Sequence, residues 1–135
     1  MKKLRRAYRK AKRSGHIALL RKVKGKIQVL CLKAKHRKLV FAGGQLDGKE
    51  CPLKGAAREC LEEVGLKAKI KRKFFQSKAY NKGKKITRVF VGWARNAYKK
   101  LKLQSGEIHD AIWLPLKAAK KKLIDRHAEA LMALV

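Results

Sequence analysis

The acidic residues of this 135-residue chain are few, and most of them lie close together. The sequence has 9 acidic residues against 38 lysines and arginines, and no acid occurs before position 47. A short segment then holds five of them: Asp47, Glu50, Glu59, Glu62 and Glu63. Such a cluster either forms local ion pairs or binds a cation, because like charges brought together repel one another.

Three of these carboxylates have the spacing of one helix face. Glu59, Glu62 and Glu63 follow an i, i+3, i+4 pattern, which on a helix places them within an arc of roughly 100°. We expect this face to be exposed to solvent. A hard divalent cation such as Mg²⁺ prefers oxygen ligands and would relieve the repulsion between the three carboxylates. A bound cation therefore explains the pattern more easily than ion pairing does.

An amphipathic helix over about 53–64 is predicted to carry these carboxylates. Pro52 suits an early helical position, and Gly65 suits the position just after a helix end. The opposite side is expected to face a core and contains Leu53, Ala57, Cys60, Leu61 and Val64. The preceding segment, 41–48, contains three glycines, which predicts a loop whose backbone turns tightly or approaches a ligand.

The segment 44–66 resembles the signature of the Nudix hydrolases, G-x5-E-x7-R-E-U-x-E-E-x-G-U, in which U is a bulky apolar residue. It reads Gly44, five residues, Glu50, seven residues and then Arg58-Glu59-Cys60-Leu61-Glu62-Glu63-Val64-Gly65-Leu66. The fixed positions are matched, and Cys60 fills an apolar position as a small hydrophobe. The resemblance implies a MutT-like single domain that cleaves a nucleoside diphosphate linked to another moiety, with Mg²⁺ or Mn²⁺ as the cofactor.

The resemblance also implies roles for individual residues of the helix and the glycine segment. Glu62 and Glu63 would be metal ligands, and Glu59 would be a third ligand or a base. The carbonyl group of Gly43 would add a further ligand. The substrate-binding candidates are Gly44, Phe75 and Tyr80.

Three more residues complete the catalytic set that the resemblance implies. Glu50 would support the metal site or assist the base, and Arg58 would hold the glutamates in place by ion pairing. Glu107 corresponds to an acid on a late loop that binds metal or activates water in many relatives. Ion pairing at the surface is the alternative role for Glu107.

The implied fold is the α/β/α sandwich of the Nudix family, a mixed β-sheet between helices. Strands are predicted over 14–23, 26–34, 38–41, 68–79 and 85–95, and helices over 116–122 and about 125–134. Lys24-Gly25 is predicted to join the first two strands, and the segment 81–84 is predicted to join the last two. We divide the chain into a basic arm, 1–14, and a Nudix hydrolase domain, 15–135.

A net charge of +29 indicates a polyanionic setting, since so much like charge destabilises a small domain. The favoured function is Mg²⁺-dependent hydrolysis of a nucleoside triphosphate or dinucleoside polyphosphate. The alternatives are an RNA- or ribosome-binding protein with a Nudix fold, and a pyrophosphohydrolase acting on RNA 5′ ends. Compositional bias would equally explain the charge. The sequence has no membrane-length apolar run, and its three cysteines favour a reducing, cytoplasmic location.

Overall fold

The computed structural model describes residues 2–33, 38–104, 108 and 110–135. Within these ranges the chain forms helices and strands in the order α1 (Lys2–Lys10), β1 (Lys12–Val23), β2 (Lys26–Lys33), β3 (Ala42–Gln45), α2 (Pro52–Val64), β4 (Ala68–Gln76), β5 (Lys85–Ala94), β6 (Asp110–Pro115), α3 (Leu116–Lys122) and α4 (Asp125–Leu134). Among the helices described, none is long and apolar enough to cross a membrane.

The strands form one mixed sheet with β1 near its centre. The order across the sheet is β4-β5-β1-β2-β6, and β3 pairs with β1 outside this path. The pairing of β1 with β5 is parallel, whereas the other pairs are antiparallel. On its other edge β1 pairs first with β3, through Ser14 to Ile17, and then with β2, from Leu20 onward.

Helices cover both faces of this sheet. Apolar residues of α2, including Ala56, Cys60 and Val64, pack against one face together with Ile17 and Leu19 of β1. The alternate residues of β1 face the other side, where α3 and α4 contribute a second core cluster. This arrangement confirms the predicted α/β/α sandwich.

Most predicted elements are present, but the short strand before the helix is displaced. The prediction put a strand over 38–41 and a loop at the glycines, whereas the structure has β3 over Ala42–Gln45. Gly43 pairs with His16, and a Cβ atom at Gly43 would lie 2.3 Å from the Gly15 carbonyl oxygen. The glycines therefore permit close approach of two strands rather than a turn, which is a requirement that composition alone does not reveal.

The N-terminal helix packs against the domain through one aromatic side chain. Tyr8 is buried with Leu46 and Ile86, and its hydroxyl group donates a hydrogen bond to the Ser14 carbonyl oxygen at 2.9 Å. Because β1 begins at Lys12, the last residues of the proposed arm belong to the sheet. The division into an arm, 1–14, and a domain, 15–135, stays a prediction.

Candidate active site

The helix α2 packs its predicted apolar face, Leu53, Ala57, Cys60 and Val64, against the core, but two residues differ from the prediction. It ends at Val64, and Gly65 follows in the left-handed conformation (φ 72°) with its N–H group donating to the Leu61 carbonyl oxygen. Leu61 was expected in the core but is 45% exposed. Glu63 was expected to be exposed but is 8% exposed. The prediction was wrong for both residues because a contact with β3, distant in sequence, orients the helix.

That contact joins the carboxylate of Glu63 to the glycine strand. The Gly43 N–H group donates a hydrogen bond to Glu63 Oε1 at 2.6 Å. The backbone carbonyl oxygen of Glu63 also accepts a hydrogen bond from the Gln104 N–H group at 2.8 Å. A hydrogen bond to a charged acceptor compensates for the burial of that charge. Glu63 therefore ties the end of α2 to β3 and to the segment that follows β5.

The carboxylate of Glu59 lies directly over Gly44. A Cβ atom at Gly44 would be 2.9 Å from the Glu59 carboxylate, so any larger residue would displace it. The Glu59 side chain is 18% exposed. Burial raises the pKa of Glu59, Arg58 opposes this effect, and Glu62 adds to it. This carboxylate thus lies in a partly buried position where an added positive charge would stabilise it.

Arg58 is the ion-pairing partner of several carboxylates at once. Its guanidinium group binds Glu50 through two hydrogen bonds, Nε to Oε2 at 2.8 Å and Nη2 to Oε1 at 3.0 Å. Its Nη1 atom donates to both Glu62 oxygens at 3.1 Å and lies 3.2 Å from Glu59 Oε1. Asp47, for which the resemblance implies no role, lies 3.5 Å from Nη2. The acidic cluster is therefore organised around one arginine.

The bidentate pair with Arg58 sets the protonation of Glu50. Hydrogen bonds from Arg58 lower the pKa of Glu50 from 4.5 to about 2, with help from the Asp47 N–H group. The same bonds, together with those to Glu62, raise the pKa of Arg58. Both partners consequently stay charged throughout the neutral range.

This pair predicts a stability contribution that depends on pH. Because the folded-state pKa of Glu50 is lower than 4.5, the pair stabilises the fold above that pH, and the contribution is lost as the pH falls toward about 2. We expect wild type to be more stable than Glu50→Gln at neutral pH, with the difference vanishing in acid. Urea unfolding of wild type and Glu50→Gln at several pH values measures the difference in unfolding free energy and its dependence on pH. Glu129→Gln on α4 is the control, and a constant difference across the pH range would contradict the prediction.

The predicted substrate-binding aromatic residues lie away from the glutamates. Phe75 packs against the core cluster that includes α3 and α4 residues, on the sheet face opposite α2. The Tyr80 hydroxyl group is 3.1 Å from the Thr87 hydroxyl oxygen, and the Arg126 guanidinium of α4 lies 3.9 Å from the Tyr80 ring centroid. The structure therefore brings neither residue to the α2 carboxylates. Glu107 lies outside the described residues.

The donor chemistry of this site fits a hard divalent cation. The acidic side chains of α2 offer only carboxylate oxygens as metal ligands, and the Glu59 carboxylate lies partly buried beside two other carboxylates. In the part of the chain that the structure describes, no three Asp, Glu, His or Cys side chains form a ready-made metal cage. Mg²⁺ does not require one, because it is usually held by one or two carboxylates together with water and substrate phosphates.

Comparison of the sequence with models of known protein families identifies the class of protein to which this fold and its carboxylate helix belong. A sequence model described as the NUDIX domain matches residues 11–134. The chain therefore belongs to the Nudix family, and membership of this hydrolase family assigns it to the pyrophosphohydrolases. No curated protein sequence gives a significant match.

Solved structures of low sequence identity share this fold. A Caenorhabditis elegans Ap4A hydrolase in a binary complex is 23% identical with a TM-score of 0.79, and the match covers 89% of this chain and 92% of that one. The NUDIX domain of Shewanella oneidensis NrtR, complexed with ADP ribose, is 14% identical with a TM-score of 0.72 and coverage of 90% and 84%. A NUDIX family hydrolase from Clostridium perfringens is 16% identical, with a TM-score of 0.69 and coverage of 92% and 98%.

Proposed function

We propose that the chain hydrolyses a nucleoside diphosphate linked to another moiety, with Mg²⁺ or Mn²⁺ as the cofactor. Nucleoside triphosphates and dinucleoside polyphosphates are the favoured substrates. The observation that carries this proposal is the position of Glu59 and Glu63 against the backbone of Gly44 and Gly43. The C. elegans and Shewanella structures support it, since Ap4A and ADP ribose are both nucleotides with a phosphoanhydride linkage.

Each residue of the site has a proposed part in the reaction. Glu59, Glu62 and Glu63, with the Gly43 carbonyl group, would hold the cation, and Glu59 would alternatively accept a proton from the attacking water. When bound, the cation would screen the negative charge of the phosphates and act as a Lewis acid. Gly44, the proposed substrate-binding glycine, has no side chain and so lets the Glu59 carboxylate lie against the backbone of β3, where a Cβ atom would come within 2.9 Å of it.

Arg58 and Glu50 act in this proposal through the positions of the other groups. Arg58 is fixed by its two hydrogen bonds to Glu50 and in turn restrains the Glu62 carboxylate. Restraint of catalytic groups before the substrate binds lowers the entropic cost of reaching the transition state. Both are positioning residues here, with no assigned contact to the reacting atoms.

Removal of divalent cations is expected to stop hydrolysis. The carboxylates of α2 repel one another and the substrate phosphates, so that catalysis needs a positive charge between them. We expect EDTA to abolish turnover, and Mg²⁺ or Mn²⁺ added in excess to restore it. Formation of the nucleoside monophosphate from each member of a nucleotide panel, followed by chromatography, measures this effect. Undiminished turnover in the chelator would exclude the proposed cofactor.

The substrate panel also tests the alternatives. It should contain nucleoside triphosphates, dinucleoside polyphosphates, ADP ribose and RNA with a 5′-triphosphate. The net charge of +29 is the observation that favours RNA. Turnover of 5′-triphosphate RNA faster than that of all small nucleotides would show that the substrate is an RNA 5′ end, whereas RNA binding without hydrolysis of any compound would make the chain a binding protein.

We also propose a cytoplasmic location. The three cysteines of the chain are free, which supports a reducing compartment.

A further inference from the structure

We propose that Arg5, Arg13 and Arg88 form a second anion site, which binds the adjacent phosphate groups of a short polyphosphate chain. We call it the arginine pocket. It goes beyond the proposed hydrolysis, because it contains none of the carboxylates of the candidate active site and would bind its ligand without a cation.

The arginine pocket is a cavity of about 330 Å³ between α1 and the sheet. Its three guanidinium groups come from separate elements, since Arg5 lies on α1, Arg13 on β1 and Arg88 on β5. Tyr8 and Pro52 complete the lining. Arg5 and Arg13 both belong to the basic segment 1–14, whereas Arg88 is brought beside them by the pairing of β5 with β1.

Two of the arginines are held in place by aromatic and polar contacts. The Arg88 guanidinium lies 4.2 Å from the ring centroids of both Tyr8 and Phe74, and its Nε atom donates to Gln76 Oε1 at 3.0 Å. Arg13 lies 5.7 Å from the Tyr8 ring centroid and donates to the Gly48 carbonyl oxygen. A guanidinium group has five N–H donors, so each retains donors for an oxyanion after these contacts.

In the described part of the chain, no ion pair to a carboxylate offsets the charge of the arginine pocket, although Arg58 and, from a longer distance, Arg13 lower the pKa of Glu50. Among the described residues, the ion pairs involve Lys38 and Arg58 but none of the three pocket arginines. Burial lowers the pKa of Arg88, and the nearby charges of Arg13 and Arg5 lower it further. Phosphate oxygens would offset this repulsion and accept charge-assisted hydrogen bonds. The contrast with Arg58, which binds several carboxylates, indicates that the pocket arginines are available to a ligand.

The neighbouring surface indicates which anion fits. A second cavity of about 560 Å³ shares Arg13 and Pro52 with the arginine pocket and reaches Glu50. A chain of phosphates in the arginine pocket would thus point toward the candidate active site. The pocket is near the lower size limit of small-molecule sites, and its three arginines line a single cavity. This small size favours a short polyphosphate over the extended backbone of a nucleic acid.

The test is the binding of inorganic tripolyphosphate in metal-free buffer, measured by isothermal titration calorimetry. We expect Arg13→Gln and Arg88→Gln each to weaken binding about 10-fold, the scale of one charge-assisted hydrogen bond. Arg5→Gln should weaken it less, because Arg5 is exposed. Arg72→Gln is the matched control, since it removes the same charge from an exposed position on β4 outside the cavity. Arg5 and Arg13 variants keep the test valid if Arg88→Gln fails to fold.

Three results would overturn the proposal. Wild type without affinity for tripolyphosphate would do so, as would pocket variants that weaken binding no more than Arg72→Gln. The third is a result in which the pocket variants bind a single-stranded RNA oligomer more weakly than wild type but bind tripolyphosphate with unchanged affinity. Because the binding buffer contains no divalent cation, all three results are independent of whether the chain hydrolyses nucleotides.

Kinetics would then identify the source of the polyphosphate. If the phosphates belong to the nucleotide substrate, Arg13→Gln should raise KM for a nucleoside tetraphosphate while kcat stays unchanged. If the ligand is a separate inorganic polyphosphate, KM should stay unchanged while tripolyphosphate binding is still weakened. Both results support the arginine pocket, and they differ only in the molecule that fills it.

Discussion

Replacement of Glu63 by glutamine is expected to lower kcat at least about 10²-fold, the effect of removing a key electrostatic group. Glutamine keeps the size of the side chain and removes the negative charge proposed to hold the cation. It also retains an oxygen that can accept the hydrogen bond from the Gly43 N–H group. The fold should therefore survive with a loss of about 1 kcal/mol, the difference between a charged and a neutral acceptor.

Steady-state kinetics with Mg²⁺ and a thermal unfolding curve separate the two effects. Glu129→Gln removes the same charge from an exposed position on α4 and should leave both measurements unchanged. Near-normal turnover of a folded Glu63→Gln variant would assign Glu63 a purely structural role between α2 and β3. A large loss of stability in the same variant would show that the buried amide is not accommodated.

Gly43→Ala is expected to destabilise the protein by about 3 kcal/mol, through overpacking and backbone strain together. The added Cβ atom would lie 2.3 Å from the Gly15 carbonyl oxygen and 2.6 Å from the His16 Cα atom, neither of which can move without shifting β1. Gly43 also has a φ of 153°, which a residue with a side chain rarely adopts. Urea unfolding followed by tryptophan fluorescence measures the loss.

The matched control is Gly48→Ala, a few residues further along the chain. Gly48 also has a positive φ, of 41°, but a Cβ atom added there would meet no heavy atom within 4 Å. We expect a cost of about 1 kcal/mol from backbone conformation alone. Equal losses in the two variants would contradict the close approach of β3 to β1.

The elements predicted correctly are those with local signals in the sequence. Pro52 and Gly65 define the ends of α2, because proline and glycine act on the backbone at their own positions. The turn between β1 and β2 is likewise local, with positive φ values at Lys24 and Gly25. The helices α3 and α4 also have the predicted bounds, 116–122 and about 125–134.

The features that the sequence did not predict depend on contacts between distant segments. The inward position of Glu63 requires the Gly43 N–H group, 20 positions earlier. Phe74 and Phe75 are neighbours on one strand, so their side chains point to opposite sheet faces, and the sequence does not state which face carries the site. For the same reason the arginine pocket is visible only after α1, β1 and β5 have been placed.

The parallel pairing of β1 with β5 has a consequence for the order of folding. It joins Lys12 to Lys85 and Leu20 to Trp93, pairs that are about 70 residues apart. Closing so long a connection is slow, because the chain loses entropy before the strand contacts compensate for it. The strand β3 and the helix α2 both lie within that connection. During synthesis, β3 and α2 therefore leave the ribosome before β5 does. The centre of the sheet on which they pack is complete only after β5 has been synthesised and has paired with β1.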